Sequence, residues 1–99
     1  MTTSNDKQKK INVAQFISKN LLLRNSANLL FQHINEMDAN KIILDFSKVE
    51  AVTRAFTHQY LLNRKKSEKK ISDVNVPPEV NKMFKIIQKT DTHFQEPIP

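Results

Sequence analysis

The 99-residue sequence contains no cysteine and no glycine. Without cysteine, disulfides, thiolate nucleophiles and cysteine metal sites are excluded. Without glycine, a P-loop and a dinucleotide-binding fingerprint are excluded, because both wrap phosphate with backbone that needs positive φ and close approach. No apolar run nears the roughly 20 residues of a membrane-spanning helix. The leading MTTSNDKQKK is too polar for a secretory signal, so the expected location is the cytoplasm.

What is present supports one small domain. Hydrophobic residues make up 38% of the chain, and their periodicity suits a folded core. Net charge is +6 and the isoelectric point is about 9.7. The excess lies in two places. One is the leading segment, with Lys7, Lys9, Lys10 and Lys19 against Asp6; the other is led by NRKKSEKK at residues 63–70.

The chain reads as alternating strands and helices. Residues 1–9 read as a disordered basic tail. Residues 11–17 (INVAQFI) have the β-branched look of a strand, and residues 21–23 (LLL) read as a short second strand pairing back on it. Ala27, Leu30, Phe31 and Ile34 recur at helical spacing and share one face; Asn25 or Ser26 is the expected cap. Residues 41–46 (KIILDF) form an apolar run of strand length. Phe56, Tyr60 and Leu61 place an apolar patch early in a helix over residues 55–67, whose basic far end suits the helix dipole. Residues 71–76 (ISDVNV) read as a strand stopped by Pro77, with Pro78 in the first turn of a last helix carrying Val80, Met83, Phe84 and Ile87. The expected order is β-β-α-β-α-β-α: an α/β fold, with a short, mostly parallel sheet and helices packed on it. The domain spans residues 10–90, and residues 91–99 form a C-terminal tail.

The junction KIILDFSKVEAVTRAF, residues 41–56, resembles the central strand and loop of the STAS superfamily, named for sulfate transporters and anti-sigma factor antagonists. Asp45, Phe46, Ser47 and Val49 carry that likeness. The chain is most similar to a divergent branch, the STAS-like domains of unknown function, through Arg24 before the first helix, the LDFSKV of residues 44–49, Phe56 leading the second helix, and Asn75 before the last. The resemblance covers roughly residues 11–89. It implies a regulatory module that docks another protein, with partners among ATPase-kinases of the histidine-kinase-like fold or the factors they control. In the antagonists this loop carries a phosphorylated serine. Ala55 stands at that position here and has no hydroxyl. Where the STAS-like branch carries acidic residues after the helix-leading phenylalanine, this chain has His58 and Gln59.

The candidate docking surface is therefore Val52, Thr53, Arg54, Ala55, Phe56, Thr57 and His58. Each has a plainer reading. Thr53 and Thr57 are substitute phosphoacceptors or a helix cap. His58 is a base without a visible orienting partner, or a packed ring; His33 and His93 are too distant in sequence to form a metal set with it. Arg54 is a docking residue on the ligand-prone edge of an α/β sheet, or a solvated loop arginine. Asp45 is a general base, or a carboxylate that accepts loop N–H groups, and the second reading is preferred. Arg64, Lys65, Lys66, Lys69 and Lys70 are contacts to phosphate or to an acidic partner, or a solvated helix end. Phe31, Phe46, Phe56 and Phe84 belong to the core.

No acid–base pair, nucleophile or metal set stands out, so the expectation is a non-enzymatic binding module without a cofactor or metal. The alternative is a small basic nucleic-acid-binding protein. An uncovered sheet edge also offers pairing with a second copy.

Overall fold

The computed structural model describes residues 7–90. Their order is β1 (Gln8–Asn12), α1 (Val13–Phe16), β2 (Asn20–Leu21), α2 (Arg24–Glu36), β3 (Lys41–Asp45), β4 (Ala51–Val52), α3 (Arg54–Lys66), β5 (Lys70–Val74) and α4 (Pro78–Thr90). β1, β3 and β5 form a three-stranded sheet in that spatial order, with β3 central and parallel to both neighbours. β2 and β4 form a separate parallel pair. The α/β architecture with a short parallel sheet is as the alternating pattern required.

Side chains alternate across a strand, so the register sorts them by face. One face carries Ile11, Ile42, Leu44, Ile71 and Asp73, and it meets the helices. Tyr60 of α3 sits at the centre of that contact. Its ring lies 5.5 Å from those of Phe31 and Phe84, and 5.8 Å from those of Phe46 and Phe56. Tyr60, Phe46 and Phe56 are wholly buried. Removing an aromatic of this size from water contributes roughly 1.5–3 kcal/mol, so this cluster is the main tie between the three long helices. The apolar positions of α2 (Ala27, Leu30, Phe31 and Ile34) are all buried, as are Val80, Phe84 and Ile87 of α4, while Met83 is partly exposed.

Several local expectations are corrected. The first strand begins earlier, at Gln8, so Gln8 and Lys9 belong to the sheet and not to a tail. It also ends earlier: Asn12 caps the short α1 by accepting from Gln15 N at 3.0 Å, which takes residues 13–16 out of the strand. Asn at a cap outcompetes the β-branched preference of its neighbours. The leucine segment does not pair back on β1; only Leu21 joins a strand, and that strand pairs with β4. Neither Asn25 nor Ser26 caps α2, whose cap residue is Leu23, with no side-chain bond. The expected tail at residues 1–6 and the C-terminal tail at 91–99 lie outside the described residues.

Candidate functional site

The β2–β4 pair builds the corner that carries the predicted docking loop. Glu50 N and Ala51 N both donate to Lys19 O, at 2.8 and 3.3 Å, and Thr53 N donates to Leu21 O at 3.1 Å. Thr53 then closes the corner twice. Its hydroxyl donates to Leu22 O at 2.7 Å and accepts from Phe56 N at 3.1 Å. Thr53 is thus the N-cap of α3, satisfying a helix-end donor that has no backbone partner.

The remaining predicted positions divide into core and surface. Phe56 and Thr57 face inward and are wholly buried. The Thr57 hydroxyl is out of reach of a modifying enzyme and has no hydrogen-bond partner among the described residues. Val52, Ala55 and His58 are partly exposed, and Arg54 is exposed. His58 Nδ1 lies 3.3 Å from Arg24 Nη1; a guanidinium can only donate, so the imidazole nitrogen accepts. The arginine noted before α2 and the histidine of α3 therefore meet across 34 residues of sequence.

The sequence reading missed the apolar half of this corner. Leu22 is 49% exposed and Leu23 is 66% exposed, directly beside Thr53 and Arg24. Phe16 and Leu29 are also exposed, and the Phe16 ring stacks on His33 with centroids 4.5 Å apart. The signal lay in the triple leucine itself. An alternating strand buries every second residue, so consecutive leucines cannot all face one core.

Asp45 has a structural role. Its Oδ1 accepts from Ser47 N at 2.9 Å and from Asn75 Nδ2 at 3.2 Å, and Lys10 Nζ lies 3.6 Å from Oδ2. The Ser47 N–H is the main cause holding this carboxyl below the usual aspartate range, with Asn75 and Lys10 adding to it against the opposing effect of partial burial.

The basic run is dispersed. Arg64 turns inward, pairing with Asp73 at 3.4 Å and donating to Ile71 O at 3.3 Å. Lys69 donates to Met37 O at 2.5 Å and to Ala39 O at 2.7 Å, fastening the chain that leaves α2. Lys65 and Lys66 stay exposed on α3, and Lys70 opens β5. Asp73 is also bound by the Tyr60 hydroxyl. Burial pushes both groups up, the tyrosine well above its ordinary value.

Among the described residues, no cluster of three or more His, Asp or Glu is placed to hold a metal ion. No described helix is long and apolar enough to cross a membrane. A surface depression lies elsewhere, between the ends of α2 and α3, lined by Met37, Ala39, Ser67 and Lys69 among others. No protein-family model, curated protein or solved structure matches the chain.

Proposed function

We propose that this chain is a non-enzymatic docking module that binds another protein through the β4–α3 corner. The observation that carries this reading is the exposure of Leu22 and Leu23 beside Thr53, flanked by Arg24, Arg54 and His58. An apolar centre ringed by basic and polar groups is the usual anatomy of a protein contact, and arginine is favoured there. The corner is also rigid, because Thr53 ties both loops together. A rigid corner loses little entropy on binding.

The STAS-like resemblance points to the same loop. It suggests a cytoplasmic regulatory role and, as partner, an ATPase-kinase of the histidine-kinase-like fold or a factor such a kinase controls. With Ala55 at the phosphoacceptor position, this reading includes no serine-phosphorylation switch.

The test is a pull-down with the tagged full chain, compared with Leu23→Asp and Arg54→Glu. Both side chains are exposed, so the fold should survive. Loss of the same nuclease-resistant protein partner from both variants is the expected result. Equal capture by all three proteins, with unchanged circular dichroism, would sink the reading.

A further inference from the structure

We infer that the face of the three-stranded sheet turned away from the described helices binds single-stranded nucleic acid through its phosphodiester backbone. Register assigns that face Gln8, Lys10 and Asn12 from β1, Lys41, Ile43 and Asp45 from β3, and Lys70, Ser72 and Val74 from β5. The aromatic contacts joining α2, α3 and α4 all converge on Tyr60 and Phe46, and Tyr60 reaches Asp73 on the opposite face. Gln8, Lys10, Lys70 and Ser72 are exposed accordingly.

Charge on this face is arranged against stability. Lys41 stands directly opposite Lys70 in the register. Like charges directly opposite on adjacent strands repel. Neither lysine has an acidic partner among the described residues. The face has one acid, Asp45, and it is already occupied by Ser47 N, Asn75 and Lys10. An anion laid between Lys41 and Lys70 relieves the repulsion, while Lys10, farther along the same face, is already paired with Asp45.

Shape selects the occupant. Three strands spaced about 4.8 Å apart give a strip roughly 10 Å wide, and five residues give a length of roughly 16 Å. Such a strip accepts one extended strand lengthwise. A duplex presents its phosphates on a convex surface and touches fewer of these lysines. Ile43 is partly exposed and forms an apolar floor beside Lys10 and Lys41, Val74 lies at the far corner beside Asp45, and Gln8, Asn12 and Ser72 offer hydrogen bonds to phosphate and sugar. Among the described residues no aromatic lies on the face, so they build no stacking platform to read bases. Binding is therefore independent of sequence. A second copy of the chain is a poor occupant, since two such faces repel each other.

The lysines come from strands far apart in sequence, so this surface differs from the consecutive run at residues 64–70, of which only Lys70 contributes. It is also independent of the β4–α3 corner.

The experiment is fluorescence anisotropy of the full chain with short labelled oligouridylate and oligothymidylate over a range of salt. Lys41→Gln with Lys70→Gln is compared with Lys66→Gln with Lys85→Gln, which removes the same charge from exposed helix positions. Two phosphate contacts predict a log–log salt slope of about −1.4, falling toward zero when both lysines are neutralised. The helix double variant should keep the wild-type slope. Thermal unfolding of each variant confirms the fold; removing the Lys41–Lys70 repulsion should not lower it. Equal loss in both double variants would overturn the inference, since net charge alone would then explain binding. So would equal affinity for a blunt duplex, or for polyglutamate with the same dependence on Lys41 and Lys70, which would point to an acidic protein partner.

Discussion

Asn75 Nδ2 donates to Asp45 Oδ1 across 3.2 Å, tying the turn after β5 to the end of β3. Asn75 also has φ of 54°, the one positive φ among the described residues. A chain without glycine must place another residue in the left-handed region, and asparagine tolerates it best. Its amide then turns that strained position into a contact with the central strand.

Asn75→Ala should therefore lose both the tolerated conformation and the hydrogen bond, at a cost of about 2 kcal/mol. Asn75→Gly should lose the bond alone and cost about 1 kcal/mol or less. Urea unfolding of both variants checks this. Equal destabilisation would mean that backbone conformation contributes nothing at this position.

The Thr57 hydroxyl is buried without a hydrogen-bond partner among the described residues. Such a group keeps its desolvation cost and gains no bond in return. Thr57→Val should raise unfolding stability by about 1 kcal/mol. A decrease would show that the hydroxyl has a partner in solution, a bound water for instance.

Asp45 and Asp73 respond to acid in opposite directions. Asp45 has a folded value lowered chiefly by the Ser47 N–H. Its stabilisation is complete above the ordinary aspartate range and is lost as pH falls through the lowered value. Asp73 is raised by burial, so the folded state holds its proton longer, and stability declines as pH rises from the ordinary range through the raised value. Asp45→Asn should flatten the acid-side loss seen in chemical unfolding between mildly and strongly acidic buffers. Asp73→Asn should remove the decline on the other side while Tyr60 keeps an acceptor. Unchanged pH profiles in both variants would contradict these assignments.

Lys69 and Lys66 lie close in sequence but differ in role. Lys69 bonds the Met37 and Ala39 carbonyls, whereas Lys66 is exposed. Lys69→Ala should cost about 1–2 kcal/mol, since hydrogen bonds from a charged donor contribute more than neutral ones. Lys66→Ala should fall within about 0.5 kcal/mol of wild type. Thermal melts of the two variants suffice, and equal melting points would refute the distinction.

Local chain chemistry was enough for the long helices, the central strand and most of the core. Ala27, Leu30, Phe31 and Ile34 share a face because the helix repeats every 3.6 residues, and that holds before any partner is specified. A cap at Thr53 or Thr57 and Asp45 as an acceptor of loop N–H groups were legible for the same reason, since both act within three residues of their own position; the structure selects Thr53. The first strand was misplaced because Asn12 captures Gln15 N, a short-range bond that outweighs strand propensity. What could not be read in advance depends on contacts between distant segments. The pairing of β2 with β4, which exposes Leu22 and Leu23 beside Thr53, joins chain segments 31 residues apart. The inward turn of Arg64 toward Asp73 and the gathering of Lys10, Lys41 and Lys70 on one face follow from strand order and register. Composition counts charges, but only the packed sheet decides which of them face a common surface and which are neutralised inside.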